Sequence, residues 1–183
     1  SDAAYVEFFG HADALGYRAF KIKVGNPDFE WDLHRLALLK KTVRKDALVM
    51  IDANEAWGAK ETIAKLEVIR AAGHDLLWVE DPILRNDFEG LKLLRESVGW
   101  TMINSGEYLD VSGKRQLLLA GGTDILNVHN QVTDVMRIGW LAAELGIPVS
   151  LGNTFLETGV HMACALPEVE WLEYSFQNFD HLV

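Results

Sequence analysis

The feature that most constrains this chain is its rhythm. Short apolar runs of strand-forming residues alternate with longer helix-patterned segments along the whole length. The strand candidates are 19–24 "AFKIKV", 48–52 "LVMID", 76–80 "LLWVE", 101–105 "TMINS", 124–129 "DILNVH", 147–151 "IPVSL" and 170–174 "EWLEY". Between them helical patterns fall at about 28–44, 59–72, 87–98, 110–120, 132–145 and 156–166, after a first helix around 2–15, with Gly73 and Gly146 placed as helix stops. Strand, helix, strand at this regularity means parallel βαβ units, in a doubly wound sheet or a (β/α) barrel. No low-complexity tract or Pro/Ser-rich linker interrupts the pattern, so a single domain over 1–183 is expected.

The strand ends choose between the two architectures. The last polar residues of successive strands are Lys23, Asp52, Glu80, Glu107 just past its strand, His129, the Gly152–Asn153 pair and Glu173. An open sheet gathers ligands at one switch point, whereas a barrel draws functional groups from many strand ends onto one rim. The ring of polar ends favours an α/β fold of the (β/α) barrel type. Seven strands are visible where a closed barrel has eight, and about 250 residues is typical. The expectation is therefore a partial barrel, a piece of a larger protein that begins in the helix after a missing first strand.

Three acids carry the first chemical signal. Asp52 in "MIDAN", Glu80 in "WVEDP" and Glu107 in "NSGEY" are spaced by 28 and 27 residues, one strand-helix unit each. Successive strands then deliver three carboxylates to one rim, where they repel unless a cation sits among them. An all-oxygen set with room for water and substrate suits Mg²⁺. A single such acid is more simply a helix cap or a lysine partner; three in register are not.

The stretch "YRAFKIKVG" adds two cations. Phe20, Ile22 and Val24 occupy one face of the strand, which puts Lys21 and Lys23 together on the other. A lone pair of lysines would be read as snorkelling to solvent. Beside three acids on the same rim they meet anionic partners instead, and each ammonium lowers the other's pKa, as a lysine general base requires.

Taken together, "KIK", "DAN", "VEDP" and "SGE" on successive strands resemble the mandelate racemase and muconate-lactonizing branch of the enolase superfamily, over essentially the whole chain. The resemblance implies strands 2–8 of a (β/α)7β barrel, without its first strand and the N-terminal α+β capping domain. It implies that Asp52, Glu80 and Glu107 hold an essential Mg²⁺ that binds the substrate carboxylate. Lys23 would remove the proton α to that carboxylate, while Lys21 stabilises the enediolate. Asn54 would contact the substrate or support the metal ligands, and Glu173 in "WLEY" would hydrogen-bond the substrate carboxylate. A homo-oligomer is also implied.

The pattern departs from the racemase-like members in one place. Their seventh barrel strand carries a His oriented by an Asp on the sixth; here the seventh reads "IPVSLGNTF", with Gly152 at the His position. The sixth strand, "DILNVHNQ", ends in His129, where muconate-lactonizing and dipeptide-epimerase members place a lysine. His129 would act as general acid on a leaving hydroxyl, or as a second base opposite Lys23. Asn153 and Glu157 are candidates to line the pocket. Asp124 starts its strand and belongs to the opposite rim, and Asp134 reads as an early-turn helix acid. His161 and Cys164 read as packing residues, His11, His34 and His74 as solvent-facing, and Trp78, Trp140 and Trp171 as core.

Charge and composition narrow the partners. A formal net charge of −10 argues against nucleic acid or an anionic membrane, and leaves a small-molecule carboxylate drawn to a local cluster of lysines. One cysteine excludes an intramolecular disulfide, no apolar run of about 18 residues appears, and the start "SDAAYVEFFGHADALGY" is polar and acidic where a signal peptide would be basic and then apolar; a cytoplasmic location is expected. The leading expectation is a Mg²⁺-dependent dehydratase acting on a hydroxylated carboxylic acid, an acid sugar in particular. A racemase or epimerase using Lys23 and His129 on opposite faces is the alternative. A binding domain or inactive remnant is the third.

Overall fold

The computed structural model describes residues 1–129, 131–152 and 156–175. Seven helices alternate with seven strands among them: α1 (Asp2–Ala14), β1 (Ala19–Lys23), α2 (Phe29–Thr42), β2 (Leu48–Asp52), α3 (Ala59–Ala71), β3 (Trp78–Glu80), α4 (Phe88–Ser97), β4 (Met102–Ser105), α5 (Val111–Ala120), β5 (Ile125–Val128), α6 (Val132–Glu144), β6 (Val149–Leu151), α7 (Leu156–Ala165) and β7 (Val169–Leu172). The strands are parallel and stand in chain order, the α/β partial (β/α) barrel expected. The chain divides into two compact units, Ser1–Ile103 and Asn104–Val183. No helix among the described residues is long and apolar enough to cross a membrane.

In the first unit the register does the positioning. Lys23 pairs with Asp52, and Asp52 with Glu80, in the same row at the carboxyl ends of β1, β2 and β3. Two rows earlier, Lys21 pairs with Met50 and Met50 with Trp78. Phe20 and Ile22 point the other way and are buried, as strand alternation requires. Leu36 and Leu39 of α2, Leu66 and Ile69 of α3, and Leu91 and Leu94 of α4 are fully buried, as are Ile51 and Val79 of the strands. Each such side chain contributes about 1.5–3 kcal/mol by leaving water.

Aspartates start the helices that follow the rim loops. Asp28 accepts from the Glu30 amide, Asp87 from Gly90 and Asp110 from Gly113, each satisfying an amide that the helix itself leaves unpaired. Buried Asp32 reaches back from α2 to accept from the amides of Gly25 and Asn26, which fixes the loop after β1.

In the second unit, β4 pairs with β5, β5 with β6 and β6 with β7, with an irregularity at Val149/Ser150. Leu117, Ile125, Leu126, Val128, Val135, Ile138, Ala142, Val149 and Leu151 are fully buried apolar residues there. Its interior is also polar. Asn104 and Asn127 are buried, and the Asn104 amide donates to Ser150 Oγ at 3.0 Å.

Several expectations about single residues are corrected. Trp140 is exposed, because α6 buries Val135, Ile138, Gly139 and Ala142 and points residue 140 away from that face. His161 and Cys164 are exposed for the same reason, since α7 buries Gly159 and Met162. His74 is buried rather than solvent-facing: the chain turns at Gly73, φ +82°, and the His74 amide returns to the Ile69 carbonyl. His11 and His34 are exposed, Trp78 is buried and Asp134 lies in the first turn of α6, as expected.

Candidate active site

At the rim of the first unit two carboxylates and two ammonium groups alternate. Asp52 and Glu80 are each about fully buried. The Lys21 ammonium bonds Glu80 Oε1 and lies 3.8 Å from Asp52 Oδ2, while the Lys23 ammonium bonds that same Oδ2. The remaining oxygens are held as well: the Trp78 indole donates to Glu80 Oε2 at 3.1 Å, and the Asn54 amide donates to Asp52 Oδ1 at 2.9 Å. Lys21 is 12% exposed and Lys23 58%, so the second lysine is the one that can meet an incoming solute. Asn54 Oδ1 lies 3.4 Å from the Lys23 ammonium.

The loops after β2 and β3 are tied together in a strained conformation. Asn54, Glu55 and Asp81 all have positive φ, at 46°, 63° and 35°, which costs about 1–3 kcal/mol for each non-glycine residue. What holds them is visible. The Glu55 amide donates to the Asp81 carbonyl at 2.7 Å, and the Arg85 guanidinium makes a two-pronged pair with the Glu55 carboxylate at 2.7 and 2.6 Å. Arg85 holds the Glu55 carboxyl below the usual carboxylate range.

The second unit holds the candidates Glu107, His129, Gly152 and Glu173. Glu107 is buried in the loop after β4. His129 follows β5 and is half-buried, with no partner for its buried Nδ1 among the described residues. Burial, then the Lys114 ammonium, lowers its pKa below the ordinary value of 6.5, against the pull of Glu107 and Glu173. At pH 7 this imidazole is neutral.

Gly152 has a packing explanation. A Cβ at this position would stand 2.8 Å from Asn127 Oδ1 and 3.2 Å from Glu173 Oε2. The place of a side chain at the end of β6 is thus filled by the ends of an asparagine from β5 and a glutamate from just beyond β7. Asn127 went unremarked in the sequence, although strand alternation puts it on the same face of β5 as His129. Glu173 is partly buried, and its amide donates to the Leu151 carbonyl. Glu157, in the first turn of α7, is exposed, and Asn153 lies outside the described residues.

Asp52, Glu80 and Glu107 make a buried acidic group that could hold a metal ion. Three hard carboxylate donors with no sulfur or imidazole fit Mg²⁺ better than a softer transition metal.

Residues 5–183 match a family model described as enolase C-terminal domain-like. A solved structure from Mesorhizobium loti, provisionally assigned as a mandelate racemase, is 71% identical and superposes with a TM-score of 0.97, covering 100% of this chain and 49% of that one. The hydrophobic dipeptide epimerase of Enterococcus faecalis is 27% identical over 155 residues, 82% of this chain and 43% of that protein. The L-talarate/galactarate dehydratase of Salmonella typhimurium is 28% identical over 167 residues, 87% of this chain and 40% of that protein. The chain spans about half the length of the relatives it matches. Solved structures that share the fold at 23% and 24% identity contain magnesium.

Proposed function

Because the chain belongs to the enolase C-terminal domain-like family, we propose that it forms the catalytic barrel of a Mg²⁺-dependent enzyme that removes the proton α to a carboxylate. The observation that carries this reading is the row Lys23, Asp52, Glu80 with Lys21 set between the two acids. Asp52, Glu80 and Glu107 would hold the metal. Bound there, Mg²⁺ supplies Lewis-acid stabilisation of the charge that builds on the substrate carboxylate. Lys23, the more exposed amine, takes the α-proton in its neutral form. Lys21 stays as a fixed cation beside the developing enediolate and needs no reorganisation during the step. Asn54 orients the Lys23 amine, and Glu173 hydrogen-bonds the substrate carboxylate.

The outcome after proton removal is dehydration of a hydroxylated carboxylic acid such as an acid sugar. The β-carbon to oxygen bond breaks as the enediolate electrons form the new double bond, and the departing hydroxide takes a proton from the imidazolium form of His129, which returns to the neutral imidazole. The dehydratase relative supports this reading. A second reading has its own support. A neutral His129 is better suited to exchange a proton with carbon from the face opposite Lys23, which makes an epimerase, and the epimerase relative agrees.

Incubating the full-length protein and Mg²⁺ in D₂O with panels of acid sugars and dipeptides tests both. A dehydratase yields a keto acid that traps with semicarbazide. An epimerase yields deuterated starting material of both configurations. Absence of deuterium and of keto acid across both panels would return the protein to a binding role.

A further inference from the structure

Glu107 stands two residues beyond the end of β4, so the strand's own ladder does not fix it. The group that reaches its turn is Lys114, in α5. Lys114 is 1% exposed, the largest in volume of the fully buried side chains, and its ammonium donates to the main-chain carbonyls of Gly106, Glu107 and Leu109. The turn is closed by the Leu109 amide, which donates to the Gly106 carbonyl at 3.1 Å. Gly106 itself has φ +120°, and a Cβ there would stand 3.1 Å from the Asn127 carbonyl. The glycine thus lets the turn lie against β5 with its carbonyl aimed inward.

Burying an ammonium group is costly even when it is well paired, and an apolar side chain of similar length would fit a helix that already buries Leu117 and Leu118. The charge is therefore poorly explained as a contribution to the core. It is well explained by what it holds, since three carbonyls of one four-residue turn converge on it, including that of Glu107.

We propose that Lys114 is a positioning residue that holds the Gly106–Leu109 turn so that the Glu107 carboxylate is presented to the divalent cation. This rests on the three-carboxylate reading above. Groups behind a metal ligand commonly change affinity by about 10–100-fold when removed, and that is the effect expected here.

The test uses full-length protein freed of metal with a chelator, with Mn²⁺ as the probe and free Mn²⁺ read by electron paramagnetic resonance. Glu107→Gln is the control and abolishes tight binding. Lys114→Met, shown to be folded by circular dichroism, binds Mn²⁺ about 10–100-fold more weakly, and its turnover recovers in excess metal with the substrate KM little changed. Lys114→Met binding within twofold of the parent protein overturns the proposal. Should Lys114→Met not fold, Lys114→Gln, which retains two donors, is read in the same way. Should neither fold, amide exchange in the parent protein decides: protection of 106–109 before Mn²⁺ is added supports the proposal, and free exchange until it is added overturns it. A parent protein that binds no Mn²⁺ defeats the three-carboxylate reading itself, a result separate from a normal Lys114→Met.

Discussion

Asp52 is the most heavily engaged residue of the rim, with one oxygen on a main-chain amide and the other facing both lysine ammonium groups. Removing one of those lysines leaves the other as its counter-ion, so Lys23→Ala should fold. Its turnover should fall by about 10²–10⁴-fold, the usual worth of a general base, with Mn²⁺ binding retained; unchanged kcat would remove Lys23 from the mechanism. Gly152→Ala tests packing at the same scale. Its new methyl group meets Asn127 Oδ1 at 2.8 Å, and a loss of about 1–3 kcal/mol in urea denaturation is expected. The acids and the KIK lysines were legible in the sequence because strand ends recur once per βα unit. Lys114 was not: in "VSGKRQLLLA" it reads as half of a solvated Lys-Arg pair, and the carbonyls it binds converge only once Gly106 adopts a positive φ.

Elements placed those residues, and the helix and strand pattern showed every helix and strand described, with most ends matched or trimmed by one or two residues and β7 starting one residue earlier than expected. The trimming has local causes. Asp28 caps α2 instead of joining it, and residues 76 and 77 precede β3. The loops between elements were less legible, because positive φ at Asn54, Glu55 and Asp81 comes from a pairing 30 residues apart in sequence. That pairing, Glu55 with Arg85, joins the loop after β2 to the loop after β3. Arg85→Met should destabilise the protein by about 1 kcal/mol, a modest figure because Arg85 is 40% exposed and solvent screens it. The sign with pH is fixed by the depressed Glu55 pKa. The contribution is complete above the ordinary carboxyl value of 4.5 and is lost as pH falls through the lower, folded value. Urea midpoints of the parent and Arg85→Met should therefore converge at acid pH; a constant gap would assign the loss to packing alone.

For the whole molecule, two histidines begin the loss of stability as pH falls below 6.5. Burial is the main cause that lowers the pKa of His74 and of His129 below 6.5. Above that pH both states hold them neutral and stability is unaffected. Below it the unfolded chain takes up protons that the folded chain refuses, so stability falls until the folded values are reached, by at most about 1.4 kcal/mol per pH unit for each group. Denaturation at pH 7.5 and 5.5 should show a smaller drop for His74→Gln than for the parent; equal drops would acquit His74. The molecule's choice of reaction partner for Lys23 has a longer consequence, set by how tightly residue 152 is hemmed in. An imidazole placed there would run into the side-chain ends of both Asn127 and Glu173, so a His at residue 152 needs those two groups to move aside. Libraries that vary residue 152 together with residues 127 and 173 are therefore expected to reach that chemistry more readily than libraries that vary one codon at a time.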